Sequence, residues 1–415
     1  MHMGDFKRTK EVNRLLSLIG NGKIIIVSGL RRVGKTFLLS HLFKDKLISD
    51  GSLFTERDIG MLFLDGRDKG VRSEDQLDGA LNDMASKGKK IVIIDEIQLV
   101  DGFVSSLTAF AKLHKEITVY VTGSNSHILS KDIVREFQGN CVSIKIEPLT
   151  YREIIEEMPD YPIESYVAYG GLPLVIKKAS DQERSKELHI IFEEIFVKDI
   201  DDRMRQEGFK YISSNEAKQI IAICASNLSA FSPSKTARRI MKGSPANGDV
   251  ALEVSKEVSN FVSLLENSFL LKAMELEDYR RHTPLEKLNL KQKYYFSDNG
   301  LRFINCSFVE AAMGNCLENA VFLELMSRGI KPVGKVSLGK RNETESEIDF
   351  DFINKGVRHL FQVTHTINFK DYSREIQNLL QEGDNAKKAI IYIDNAVGIT
   401  EEGISYLQKE AFFLQ

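Results

Sequence analysis

Lys23-Ile24-Ile25-Ile26-Val27-Ser28-Gly29-Leu30-Arg31-Arg32-Val33-Gly34-Lys35-Thr36, with Phe37-Leu38-Leu39 after it, decides the fold. Residues 24–27 are a continuous run of β-branched side chains, which reads as a strand buried on both faces. Gly29 to Thr36 then matches G-x-x-x-x-G-K-[ST], and Phe37 to Phe43 continues as a helix. In a strand–turn–helix setting the glycines let the backbone wrap a phosphate group, so that several N–H groups and the helix N-terminus face its negative charge. Gly29, Leu30, Arg31, Arg32, Val33, Gly34, Lys35, Thr36 and Phe37 are the expected phosphate-binding residues. Lys35 is placed to reach β- and γ-phosphates, and the Thr36 hydroxyl to coordinate Mg²⁺.

Further apolar runs follow at Met61–Leu64, Ile91–Ile94, Ile117–Val121 and Val142–Ile146. Helix-length stretches, such as 75–86 and 103–113, separate several of them, and Glu11 to Ile19 has helical spacing. Strands without polar alternation, spaced by helices, predict an α/β domain on a parallel sheet over residues 1–150. At the end of the Ile91–Ile94 strand stand Asp95 and Glu96. Asp95 is placed to complete the Mg²⁺ shell, and Glu96 to polarise the water that attacks a γ-phosphate, a pairing that favours hydrolysis. After Thr122 and Gly123, either Ser124 or Asn125 could sense the γ-phosphate or orient that water.

Beyond Pro148 the pattern turns helical through residues 151–205, a candidate lid, broken at Tyr169-Gly170-Gly171-Leu172-Pro173. Residues 206–305 read as a winged helix: helices, a start at Ser232-Pro233, and two short strands, Leu270–Met274 and Tyr294–Phe296, as the wing. Residues 306–415 read as a third α/β unit, with a helix near 317–327, strands near 347–353, 360–364 and 389–393, and a helix near 372–381. The whole chain has 415 residues and a net charge of −3, with 42% hydrophobic and 28% charged residues. That balance excludes a protein that coats nucleic acid by bulk charge. No apolar run approaches the ~18 residues of a membrane span. The four cysteines form no C-x-x-C pair, so a soluble protein of the reducing cytoplasm is expected.

G-L-R-R-V-G-K-T, D-E-I-Q (95–98) and T-G-S-N-S (122–126) resemble a group of prokaryotic AAA-type, archaeal-ATPase-like P-loop proteins. The resemblance runs on through P-L-T-Y-R-E (148–153), Y-G-G-L-P (169–173), V-K-D-I (197–200), Y-Y-F-S-D-N-G-L-R (294–302), L-E-N-A-V-F-L-E-L (317–325), E-I-D-F (347–350) and F-Q-V-T (361–364). It implies a P-loop NTPase core with a parallel sheet, then a helical lid and winged helix, then a C-terminal PD-(D/E)XK-like nuclease fold. It also implies ATP as the nucleotide. The function expected is an ATPase that turns over ATP with Mg²⁺ to rearrange its C-terminal parts on a protein or DNA partner, the alternatives being a nucleotide-gated protein-binding switch with little hydrolysis or a metal-dependent DNA nuclease; an oligomer is possible. Where such proteins carry an arginine finger, this chain has Gly139-Asn140, with Arg135 upstream.

In the nuclease-like part, Glu318, Asp349 and Gln362 match the metal-holding pattern, but Thr364 stands where the activating lysine is expected. Lys340 or Lys370 would have to reach in from elsewhere. The reading is therefore a degenerate nuclease fold used for contacts. In the winged-helix region Lys235, Arg238 and Arg239 could touch phosphates, yet the helix near Leu252–Asn260 offers as much acid as base. DNA is thus only a possible partner.

Overall fold

The computed structural model describes residues 6–49, 53–123, 137, 139–228, 230–241, 248–278, 291–306, 309–338, 344–364, 376–380, 382, 385–392, 398–400 and 402–414. Ser124, Asn125, Arg135, Lys340 and Lys370 lie outside them. The chain divides into two compact units, Met1–Pro148 with Asn267–Phe269, and Leu149–Glu266 with Leu270–Gln415.

The first unit is built on five parallel strands: β1 (Ile24–Ser28), β2 (Ile59–Phe63), β3 (Ile91–Asp95), β4 (Thr118–Gly123) and β5 (Cys141–Lys145), in the order β2-β3-β4-β1-β5. Every residue of β1, β3 and β4 is buried, as a sheet covered on both faces requires. Leu77 and Leu81 of the helix Glu74–Ser86, and Phe103, Leu107 and Phe110 of the helix Phe103–Leu113, pack on Val92, Ile94, Val119 and Val121 in one core. The first helix, Thr9–Leu16, stops short of Ile19 because the Leu15 and Leu16 carbonyls accept from the Leu18 and Ile19 N–H groups in tight turns. Parallel pairing puts the C-terminal ends of β1, β3 and β4 along one edge, with Val27 opposite Thr122 and Ile94 opposite Val121. That edge is where ligands meet such sheets.

The second unit carries eight further strands: β6 (Leu271–Asp278), β7 (Lys291–Phe296), β8 (Val333–Leu338), β9 (Thr344–Asn354), β10 (Val357–Thr364), β11 (Lys387–Tyr392), β12 (Gly398–Ile399) and β13 (Ser405–Gln408). They form one mixed sheet, ordered β12-β13-β11-β10-β9-β8-β6-β7. The β6–β7 hairpin expected as a wing is thus one edge of this sheet. β6 runs past Met274 to Asp278, and its last residues pair in parallel with β8, Leu276 opposite Gly334. The helix expected near residue 232 is present as Pro233–Ile240, capped by the Ser232 side chain, and a long helix follows at Gly248–Asn267.

Several sequence motifs meet in a buried polar hub of this second unit. Asp298 caps the helix Asn299–Asn305, accepting from the Gly300 and Leu301 N–H groups, and its other oxygen accepts from the Gly171 N–H at 2.8 Å. A Cβ at Gly171 would lie 2.1 Å from the Leu149 carbonyl, so Y-G-G-L-P needs glycine there. Asn299 Nδ2 donates to the Val167 and Cys316 carbonyls, and Asn319 bridges Asn299 and both backbone groups of Phe296. Burial pushes the Asp298 carboxyl up to about 6 against the pull of its backbone N–H donors.

Candidate functional site

The turn after β1 has the backbone that its glycines allow. Gly29 adopts φ 143°, and a Cβ there would lie 2.2 Å from the Ile146 carbonyl oxygen, so no other residue fits. Gly34 is left-handed (φ 100°) immediately before the helical segment Lys35–Phe37, which continues through a π-helical stretch, Leu38–Phe43, into Lys44–Leu47. Arg32 is left-handed as well (φ 66°), a conformation that non-glycine residues enter at a cost of roughly 1–2 kcal/mol.

Lys35 is buried, and its ammonium donates to the carbonyls of Gly29 and Leu30 at 2.9 and 3.1 Å. The Thr36 hydroxyl bonds to both Asp95 carboxylate oxygens, at 2.9 and 3.1 Å. Hydroxyl and carboxylate are hard oxygen donors of the kind Mg²⁺ takes, and they stand within one cation's reach of each other. Burial raises the Asp95 carboxyl above the usual range and Glu96 adds to this, while the Thr122 and Thr36 hydroxyls and Lys35 pull the other way. Among the described residues no group of three or more His, Cys, Asp and Glu could hold a metal ion by itself. Phosphate oxygens and water would complete any shell at Thr36 and Asp95. Phe37, on the helical side of the turn, is exposed and stacks on His41, with ring centroids 4.8 Å apart. Arg31 is half-buried and Arg32 exposed.

Glu96 leaves the strand in a left-handed turn (φ 59°), and its carboxylate accepts from the Gln98 side-chain amide. Thr122, which the sequence reading passed over, is fully buried at the end of β4. Its hydroxyl donates to Asp95 Oδ1 at 2.6 Å and accepts from the Glu96 N–H at 2.9 Å. One hydroxyl therefore ties together both members of the acidic pair. The only sequence signal for it is position: a polar side chain one strand over from Asp95, at matching depth. The structure brings Lys35, Thr36, Asp95 and Glu96 to the same sheet edge, while Ser124 and Asn125 fall outside the described residues.

In the second unit Glu318, Asp349 and Gln362 also come together. β9 and β10 pair antiparallel, Phe350 opposite Phe361, so Asp349 faces Gln362 across the ladder. The Asp349 N–H reaches Gln362 Oε1 at 3.4 Å, and the Val363 N–H donates to Asp349 Oδ2 at 2.8 Å. The cation beside them is Lys293 of β7, a residue the sequence reading did not consider. Its ammonium is buried, 2.5 Å from Glu318, 2.8 Å from Glu347 and 3.7 Å from Asp349. Burial alone would lower its pKa, but Glu318, Glu347, Tyr295 and Asp349 outweigh it and hold it well above the ordinary lysine value.

No helix among the described residues is long and apolar enough to cross a membrane. An uncharacterized protein of Haemophilus influenzae is 28% identical over 395 residues, covering 92% of each chain. Another, from Methanocaldococcus jannaschii, is 25% identical over 394 residues, covering 89% of this chain and 81% of that protein. Among solved structures, the Aeropyrum pernix ORC2 protein in its ADPNP-ADP complexes aligns over 75% of this chain and 93% of its own, with a TM-score of 0.37 at 12% identity. The Pyrobaculum aerophilum CDC6P structure aligns over the same shares, with a TM-score of 0.29 and 12% identity. Residues 161–305 match a domain of unknown function, DUF8612. Residues 21–155, which hold the whole five-stranded sheet and the turn after β1, match the family described as an AAA domain, so this segment is similar to AAA-type P-loop domains.

Proposed function

We propose that the protein binds ATP with Mg²⁺ at the turn between β1 and Lys35 and hydrolyses it. The observation that supports this is the direct bond between Thr36 and Asp95, two hard oxygen donors of the kind Mg²⁺ takes, at the same sheet edge as Lys35. The cation, when bound, supplies charge neutralisation at the β- and γ-phosphates. Lys35, which here donates to two neutral carbonyls, would bond charged phosphate oxygens more strongly. The backbone of Gly29 to Phe37 holds the phosphates, with Thr36 and Asp95 as metal ligands. Glu96 acts as general base on the attacking water, and Ser124 or Asn125 senses the γ-phosphate.

Turnover would then rearrange the C-terminal parts on a protein or DNA partner. β7 brings Lys293 to Glu318, Glu347 and Asp349, a cation in place of the one lacking at Thr364; the reading stays a degenerate fold that makes contacts, because this ammonium engages the carboxylates that a metal would need. The test is nucleotide binding and steady-state phosphate release. Lys35→Ala should abolish ADP and ATP binding, while Glu96→Gln should bind ATP and stall its hydrolysis. Unimpaired phosphate release by Glu96→Gln would remove Glu96 from the role of base, and unchanged binding by Lys35→Ala would sink the site.

A further inference from the structure

Arg8 belongs to none of the motifs, yet it is one of the few buried charged residues of the first unit. It immediately precedes the helix Thr9–Leu16, with a left-handed backbone (φ 47°, ψ 42°). Its Nη2 donates to the Val33 carbonyl at 3.1 Å, and its Nη1 to the Glu147 carbonyl at 2.7 Å. Val33 lies inside the turn after β1, and Glu147 lies two residues past the end of β5, the strand that pairs with β1. Burying a guanidinium and holding a non-glycine residue left-handed are both unfavourable. Here both costs fall on one side chain whose fork spans the turn and the strand beside it.

A consequence follows from peptide geometry. The chain has no cis peptide among its described residues, and across a trans peptide the C=O of one residue and the N–H of the next point in opposite directions. The Val33 N–H is itself engaged with the Leu30 carbonyl at 3.3 Å, which holds that residue from its other side. With the Val33 carbonyl clamped on Arg8, the Gly34 N–H points away from Arg8. A charged donor on a carbonyl also polarises the peptide and strengthens its N–H as a donor.

We propose that Arg8 is a positioning residue for polyphosphate binding: it fixes the Val33–Gly34 peptide so that the Gly34 N–H faces the phosphates of a nucleoside di- or triphosphate. The inference rests on the nucleotide reading of the turn. Arginine suits the task because its planar fork reaches two carbonyls at once, whereas a lysine is a point charge on a flexible stem.

The experiment is calorimetric titration of the full-length protein with ADP in EDTA, together with steady-state ATP turnover, for wild type, Arg8→Gln, Arg8→Lys and Lys35→Ala. Arg8→Gln should weaken ADP binding about ten- to hundredfold, the worth of one hydrogen bond to a charged group. KM for ATP should rise by more than kcat falls, and Arg8→Lys should recover part of the loss. Wild-type ADP affinity in Arg8→Gln would overturn the proposal, as would a fall in kcat with KM unchanged. If Arg8→Gln does not fold, Arg8→Lys carries the test, and wild-type ADP affinity there overturns it. If wild type binds no ADP, the nucleotide reading fails and the inference with it. If Lys35→Ala loses ADP while both Arg8 variants keep it, the inference alone fails.

Discussion

Two buried lysines, one in each unit, are held in opposite ways. Lys35 donates to two backbone carbonyls of a glycine-rich turn. Lys293 is ringed by Glu318, Glu347 and Asp349, with the Tyr295 hydroxyl bonded to Glu318 at 2.7 Å behind it. A neutral carbonyl yields an ammonium readily to a phosphate oxygen, because the charged acceptor makes the stronger bond. A set of carboxylates does not yield it, because removing the cation strands several negative charges out of water. The same side chain is thus exchangeable in one place and fixed in the other. Polar groups of the first unit should announce themselves in ligand binding and turnover, and those of the second in stability.

The largest expected effect comes from Lys293. Lys293→Met keeps the volume but leaves three carboxylates around an uncharged side chain, and breaking a buried ion network in this way costs about 3–5 kcal/mol. The urea unfolding midpoint at neutral pH measures it. Lys35→Ala, by contrast, should lose ADP binding at a smaller cost in stability, about 1–3 kcal/mol for carbonyls left without their donor. A Lys293→Met protein as stable as wild type, or an unfolded Lys35→Ala protein, would erase the distinction between the two sites.

Asp298 sharpens it through pH. Its carboxyl is pushed up to about 6, well above the ordinary aspartate range, so the folded chain holds this proton more tightly than the unfolded chain. The resulting stability is fully present below pH ~4 and is lost as pH rises through ~6, by about 3 kcal/mol in all. Unfolding midpoints measured across pH 4–7 should show a downward slope in wild type that Asp298→Asn flattens. An unchanged slope in the variant would assign it to other groups.

A smaller effect belongs to the first unit, and it should appear as function. Thr122→Val removes the donor to Asp95 Oδ1 and the acceptor of the Glu96 N–H. The Mg²⁺ concentration for half-maximal turnover should rise at least about tenfold, the lower end of what one hydrogen bond to a charged group is worth. ADP binding in EDTA should hold, and Thr122→Ser should restore the metal dependence. Equal loss of metal-free ADP binding would make Thr122 a folding residue instead.

The first unit was largely legible because β1, β3 and β4 are buried on both faces and leave unbroken apolar runs in the sequence. The spacing of Lys35, Thr36 and Asp95 was legible for a related reason: a turn and a strand end fix those residues locally. Thr122 was not, since a threonine closing a strand is what β-propensity alone would place there. Lys293 was hidden for a deeper reason. K-Q-K-Y-Y-F offers two lysines on one strand face, and only the assembled sheet and the helix Val309–Ser327 bring acids to one of them. The hairpin's place in an eight-stranded sheet was equally invisible, because the pairing of β6 with β8 joins segments far apart in sequence. Helix-then-hairpin order is local; sheet membership is not.

P-L-T-Y-R-E (148–153) offers the finest test of the division, because its resemblance to a motif of ATPase-like proteins invites a functional role. In the structure it is a helix start. The Thr150 side chain accepts from the Glu153 N–H at 3.3 Å, and the Glu153 carboxylate accepts from the Thr150 N–H and hydroxyl at 2.8 and 2.9 Å, a reciprocal capping box for the helix Tyr151–Glu157. Tyr151 at the first helical position is buried, with its hydroxyl on the Tyr161 carbonyl at 3.0 Å and its ring against Tyr166 and Phe413. Thr150→Ala should therefore cost about 1 kcal/mol of stability, the ordinary worth of an N-cap, and Thr150→Ser should regain most of it. ADP affinity and the Mg²⁺ dependence of turnover should stay at wild-type values in both. A nucleotide-binding defect at constant stability would move this motif from the structural side of the comparison to the functional one.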